Sequence, residues 1–155
     1  MFTQTTEYAL RAMSALALFP GVLVPTSTVA ERTKVPSNYL AKVLQQLAGA
    51  GLIEGRRGVG GGYKLARPAS EINMLDIIRA VGRLQRITSC PLGLANHGPN
   101  LCPLHRRMDE AALLLIDRFA GVKLIDLIND PGSVNRPLCD AQTTAALTLK
   151  GAVIS

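Results

Sequence analysis

Cysteine and histidine are scarce in this sequence, with three and two of them among 155 residues. So few thiols, in odd number and behind no export signal, do not make a disulfide framework. Metal binding or redox chemistry is the better use for them. Long apolar runs are missing too. No stretch of about 20 residues is free of both charge and interruption, which leaves no candidate for a membrane-spanning helix. The nearest approach is "AMSALALFPGVLVP" at residues 12–25. Glu7 and Arg11 precede it, Pro20-Gly21 breaks it, and no small-residue cleavage site follows, so it is not a signal peptide. It reads as a first helix ending in a turn, in a cytoplasmic protein. A phosphate-cradling loop is also absent. "GVGGGY" has Tyr63 where the last glycine of the dinucleotide fingerprint belongs, and no P-loop spacing follows.

What is present is positive charge in one place. The formal net charge is +6, and residues 31–67 carry five of it. Arg32, Lys34, Lys42, Arg56, Arg57, Lys64 and Arg67 stand there against Glu31 and Glu54. The first thirty residues are neutral, and the remainder is close to balance. Charge this local points to a polyanionic partner, nucleic acid first.

The pattern around that charge is helical. "QTTEYALRAMSALALF" places Tyr8, Ala12, Ala15 and Phe19 at helical spacing, with Glu7 in the first turn. "TSTVAERTK" makes a short second helix whose leading hydroxyls suit an N-cap. "VPSNYLAKVLQQLAGAG" restarts with Ser37 as the expected cap. Leu40, Val43, Leu44 and Leu47 line one face, and Gly49 or Gly51 ends the helix. Two short helices joined tightly, the second amphipathic, form a helix-turn-helix candidate. "LIEGRRGVGGGYKLARP" follows as two short strands around an arginine- and glycine-rich loop, which reads as a wing. The expected fold is therefore mainly α with a small β-wing: a winged helix-turn-helix domain followed by a long helix.

On this reading the DNA-facing residues are Thr28, Ser37, Asn38, Tyr39, Lys42 and Gln45 on the helices. Arg56, Arg57, Gly58, Gly60, Gly61 and Tyr63 belong to the wing. Glycine lets the loop come close to a phosphate backbone, and arginine supplies charge or enters a narrow minor groove. Beyond the wing, "INMLDIIRAVG" is a short helix with Leu75, Ile78 and Val81 facing inward. "PLHRRMDEAALLLIDRFAGVKLIDLI" is the longest helical pattern. Its Leu104, Met108, Ala111, Ala112, Leu115 and Phe119 repeat at three-and-four spacing. A small winged domain has little core to cover such a helix, and a partner subunit supplies that surface in a homodimer. The alternative is a helix packed back on its own domain.

Both histidines and two cysteines fall within "CPLGLANHGPNLCPLH", residues 90–105. Thiolate and imidazole bind zinc and iron–sulfur clusters alike, so residue type does not choose the metal. Cys102 and His105, three apart at the start of the long helix, share a face. Cys90 can close the loop back on them. A plain loop whose histidines do nothing remains the alternative. Cys139, in a tail without strong periodicity, is taken as incidental.

The run "SNYLAKVLQQLAGAGLIEGRRGVGGGYKLARP", then "INMLDIIRAV" and a cysteine-bearing loop before a long helix, resembles the Rrf-two family of bacterial regulators, the IscR, NsrR and CymR group. The resemblance covers about residues 1–130. It implies a cytoplasmic, homodimeric winged-helix regulator of double-stranded operator DNA, which is not an enzyme. In many such proteins an iron–sulfur cluster, often 2Fe–2S, sits in the loop before the long helix. The family's three-cysteine pattern places its first and third cysteines on Cys90 and Cys102, and its following histidine on His105. The middle cysteine falls on Asn96, a poor ligand. His97, or Glu7 near the start of the first helix, is then the candidate for the fourth ligand. Zinc and a metal-free loop stay open. The expected layout is a DNA-binding domain at 1–82, a cluster loop at 83–103, a dimerisation helix with a short following helix at 104–130, and a loose tail at 131–155. The signal would be redox state, nitric oxide or iron–sulfur status. Competing classes are a redox-active thiol or metal enzyme and a zinc-stabilised interaction module. Neither accounts for the charge in residues 31–67.

Overall fold

Thr3 opens the first helix by accepting the Thr6 N–H on its side-chain oxygen at 3.2 Å. The structure, a computed structural model, describes residues 3–93 and 100–131. Its elements are α1 (Gln4–Ala17), α2 (Thr26–Thr33), α3 (Ser37–Gly49), β1 (Ile53–Arg56), β2 (Gly62–Leu65), a 3-10 turn (Ala69–Glu71), α4 (Met74–Val81), α5 (Pro103–Ala120) and α6 (Leu124–Ile128). This is the expected mainly α fold with a two-stranded wing. The expected tail and Cys139 lie outside the described residues, as do Asn96 and His97.

α1 is the centre of the domain. Ala9, Ala12, Met13 and Leu16 are fully buried, and α2, α3, α4, α6 and β2 all pack on it. Alanines on that face let neighbouring helices approach closely. α3 contributes Leu40, Val43, Leu44 and Leu47, the four residues its period predicts. It ends in a Schellman motif, with Leu52 N–H bonded to Leu47 O and Gly51 N–H to Ala48 O. Gly51 takes φ +70° there.

The expected hydroxyl caps are corrected. Pro25 and Pro36 are the N-caps of α2 and α3, and neither helix has a side-chain cap bond. Val29 N–H bonds to Pro25 O and Leu40 N–H to Pro36 O, so each helix starts directly after its proline. Ser37 thereby becomes the first helical residue rather than the cap, and its side chain is exposed. The cause for α2 is tertiary. Val24 is bridged to Tyr63 of the wing in both directions, at 2.8 and 2.9 Å, which fixes the chain's entry to the helix. Gly62 is required at that bridge, because a Cβ there would lie 2.3 Å from Val24 O.

β1 and β2 are antiparallel, with Ile53 opposite Leu65, Glu54 opposite Lys64, Gly55 opposite Tyr63 and Arg56 opposite Gly62. Arg56 thus ends a strand, and the wing's loop starts at Arg57. α4 opens with a capping box between Asn73 and Asp76 and buries Leu75, Ile77 and Ile78, while Val81 is half-buried. Residues 122–124 pair back with residues 72–74, through Met74 N–H to Val122 O and Leu124 N–H to Ile72 O. Leu124 is fully buried in the core, and α6 packs on α1. The short helix that the sequence groups with α5 therefore sits on the winged domain.

Candidate functional site

α2 and α3 meet at a turn in which Lys34 takes a left-handed φ of 57°. On α3, Asn38, Lys42 and Gln45 lie on the exposed side, opposite the buried stripe. No acidic residue occupies the first turn of α3, and its leading N–H groups carry the positive end of the helix dipole. A phosphate suits that end. Tyr39 is 56% exposed, and its ring lies 6.5 Å from that of Tyr8 on α1, tilted by 60°. Both tyrosines, with Lys42, Gln45, Gln46 and Val81, line an open groove of about 620 Å³ between α3, α1 and the end of α4. Thr28 is half-buried in the first turn of α2.

In the wing, Arg56, Arg57, Gly58 and Gly60 are exposed. Gly61 N–H bonds to Gly58 O at 3.0 Å and closes the turn. Val59 at its tip is wholly exposed, a feature the sequence reading passed over. Gly61 has a local reason to be glycine, since a Cβ would meet Arg56 O at 2.3 Å. Tyr63 lies over Gly55 and packs on the core.

The local positive charge is unevenly available. Arg32 is 1% exposed, with its guanidinium 4.7 Å from the Phe19 ring centroid. Lys64 pairs with Glu54 across the strands at 3.4 Å, and Arg67 pairs with Asp76 at 3.2 Å. Lys42, Arg56 and Arg57, all exposed, remain on the recognition helix and the wing. Register and burial decide this division, so a charge count along the sequence does not contain it.

The second cluster is at the start of α5. Cys102 is the N-cap, Pro103 follows at the first helical position, and Cys102 Sγ lies 3.3 Å from His105 Nδ1. Two ligands at zinc–sulfur and zinc–nitrogen bond lengths and a tetrahedral angle stand about 3.5 Å apart. The 3.3 Å separation is compatible with one edge of such a tetrahedron and equally with a thiol–imidazole hydrogen bond. Among the described residues, no three His, Cys, Asp or Glu side chains assemble as a site. Cys90 is half-buried in a turn that Gly93 N–H closes onto its carbonyl at 3.1 Å. His97 lies outside the described residues. Glu7 Oε1 accepts from Arg11 Nε at 3.0 Å and from Arg11 Nη2 at 2.7 Å.

A third feature escaped the sequence reading. Asp109 on α5 is buried and accepts from Arg86 Nε at 3.1 Å, from Arg86 Nη2 and from the Ile87 N–H at 2.9 Å. The Arg86 hydrogen bonds hold its carboxyl below the usual carboxylate range against an opposing contribution from burial, and the Ile87 N–H adds a smaller lowering. No short motif signals this pair, whose members are 23 residues apart.

α5 is otherwise poorly covered, with α4 as its main neighbour. Its expected single apolar stripe divides in two. Ala112, Leu115 and Phe119 are half-buried, whereas Leu104, Met108 and Ala111 are exposed. Leu104 is 65% exposed and Met108 50%. No helix among the described residues is long and apolar enough to cross a membrane.

Three comparisons place these features among known proteins. The profile of a family described as Rrf2, iron-dependent transcriptional regulator, matches residues 2–130. A protein of Aquifex aeolicus (strain VF5), whose name places it among HTH-type transcriptional regulators, is 33% identical over 132 residues, 83% of this chain and 92% of that one. Among solved structures, T. potens IscR superposes with a TM-score of 0.68 at 24% identity, over 84% of this chain and 87% of that chain, a likeness of fold. CymR of B. subtilis, titled a global cysteine regulator, gives 0.62 at 25% identity, over 82% and 95%. CymR of Staphylococcus aureus gives 0.61 at 28%, over 79% and 93%.

Proposed function

The chain belongs to the Rrf2 family of transcriptional regulators, and we propose that it acts as a homodimer on a roughly palindromic double-stranded operator, answering to redox state, nitric oxide or iron–sulfur status through a metal group at residues 90–105. The observation that carries the DNA reading is the exposed polar side of α3, followed directly by a wing bearing Arg56 and Arg57. Asn38, Lys42 and Gln45 reach base edges or phosphates in the major groove, and Ser37 and Tyr39 flank them. Thr28, near the start of α2, touches the backbone beside the groove. Arg56 and Arg57, with Gly58, Gly60 and Gly61 between the strands, meet the adjacent backbone or minor groove. Tyr63 supports the wing from within.

The dimer reading rests on α5, whose Leu104, Met108 and Ala111 are exposed and covered by no element among the described residues. The metal reading rests on the 3.3 Å spacing of Cys102 and His105. Cys102, His105 and Cys90 would hold the group, with His97 or the partner subunit's Glu7 completing the set. A 2Fe–2S cluster matches the sequence pattern at Cys90, Cys102 and His105 though not at Asn96; zinc is the second reading, since thiolate and imidazole bind it at the same tetrahedral edge length. A bound group would supply a redox-sensitive crosslink between the loop and α5. α5 packs on α4, and α4 packs on α3 and α1, so the setting of α5 bears on the recognition helix through one intervening helix. Such coupling is allostery when the two states of the loop differ in DNA affinity.

The test is Arg57→Ala, with binding to a duplex selected from a random library measured across a salt series. Affinity should fall for all sequences alike, and the slope of log K against log salt should shrink by about 1. Unchanged affinity and slope would remove the wing from the interface.

A further inference from the structure

The side of α3 that faces α1 borders the open groove of about 620 Å³, in which Tyr39, Lys42, Gln45 and Gln46 stand opposite Thr5 and Tyr8. Among the described residues, no hydrogen bond or ion pair engages the hydroxyls of Thr5, Tyr8 and Tyr39 or the Lys42 ammonium. The hydroxyls on either side of Thr5 differ from it, since Thr3 and Thr6 bond each other at 3.0 Å. Glu7, the acid nearest in sequence, is paired with Arg11 and does not line the groove. The described lining thus holds one charge, positive, and no carboxylate. Tyr8 is anchored there, with its ring packed on the core and tilted against the ring of Tyr39.

A duplex read by α3 brings a particular group to that groove. The major groove is about 12 Å wide, and a helix with its side chains is about 10–12 Å across. The recognition helix therefore fills it, and the two sugar–phosphate strands that border it run along the flanks of the helix. α1 stands on one of those flanks. Threonine, tyrosine and glutamine donors, with one lysine, suit phosphate oxygens. Resting on the reading that α3 docks in the major groove, we propose that Thr5 and Tyr8 of α1 are phosphate-binding residues, so that the groove between α1 and α3 seats one bordering strand. Lys42 faces the same strand from the opposite wall. Such contacts fix the docking of α3 and carry no sequence information of their own. A second copy of the chain suits the groove less well, because the exposed Leu104, Met108 and Leu114 of α5 would find only Val43 and Val81 as aliphatic lining.

The experiment measures binding of the full chain to a duplex selected from a random library, either intact or with one uncharged methylphosphonate at each backbone position in turn. Wild type is compared with Thr5→Val and Tyr8→Phe, which each remove one hydroxyl, and with Lys42→Met, all checked for helix content and sedimentation. Tyr8→Phe should bind all sequences about 10-fold more weakly, and Thr5→Val should act in the same direction. Neither should change the salt slope, because a neutral donor displaces no counterion, whereas Lys42→Met should lower it by about 1. At one or two positions a methylphosphonate should weaken wild type more than Tyr8→Phe, whose contact is already lost. Wild-type affinity in both hydroxyl variants, while Lys42→Met binds more weakly, would overturn the α1 contact and leave the DNA reading standing. Weaker binding with every phosphate as sensitive as in wild type would mark a structural effect and also overturn it. A Tyr8→Phe protein that loses its self-association would assign the groove to a second copy instead. Wild type that binds no duplex at low salt would overturn both readings. Should Tyr8→Phe lose helix content, Thr5→Val decides.

Discussion

α3 and α5 are both amphipathic, with 13 and 18 residues, and they end up in opposite circumstances. α3 buries Leu40, Val43, Leu44 and Leu47 and turns polar groups, Tyr39 and small residues such as Ala41 outward. α5 buries a carboxylate and leaves Leu104, Met108 and Leu114 at least half exposed. The difference is one of neighbours. α3 lies between α1, α2 and α4, whereas α5 has α4 along one side. An apolar stripe says which face wants burial; the remainder of the chain decides whether that face finds it.

The contrast is sharpest in stability. Leu44→Ala should cost about 2–5 kcal/mol of unfolding free energy, since it empties a fully enclosed site. Leu114→Ala, at a position 72% exposed, should stay within about 0.5 kcal/mol. Urea unfolding followed by helical circular dichroism, at one protein concentration, compares them. Equal effects would mean that α5 is as enclosed as α3.

A smaller effect tests the one buried residue of α5. The carboxyl of Asp109 is held low chiefly by its hydrogen bonds to Arg86, so its folded value lies below its unfolded one. Its contribution is fully present above the ordinary aspartate value of about 3.9 and fades as pH falls through the lower folded value. Wild type should therefore be the more stable of the pair with Asp109→Asn at neutral pH, and their urea midpoints should converge in strong acid. A gap that persists unchanged to pH 2 would show that the ion pair is not its source.

The two helices also show how much was legible. The face of α3, the wing and α4 follow from local period and punctuation, which a sequence displays directly. The N-caps did not follow, because Pro25 is set by the bridge between Val24 and Tyr63, 39 positions apart. The usable charge did not follow either. Lys64 is paired by strand register and Arg32 is folded against Phe19, both long-range outcomes. In the 90–105 stretch, the closeness of Cys102 and His105 was readable because one helical turn joins them. The Arg86–Asp109 ion pair was not, since it crosses 23 residues and Asp109 reads as one more surface charge on a helix.

The most direct measurement of what covers α5 is sedimentation equilibrium of the full chain beside Leu104→Lys/Met108→Lys. Wild type should sediment as a dimer of the 16.5 kDa chain. The double variant, with two apolar contacts of about 1.5–3 kcal/mol each replaced by charge, should dissociate at least 100-fold more readily while keeping its helix content. A monomeric wild type, or a variant that dimerises as tightly, would contradict a second copy on that face.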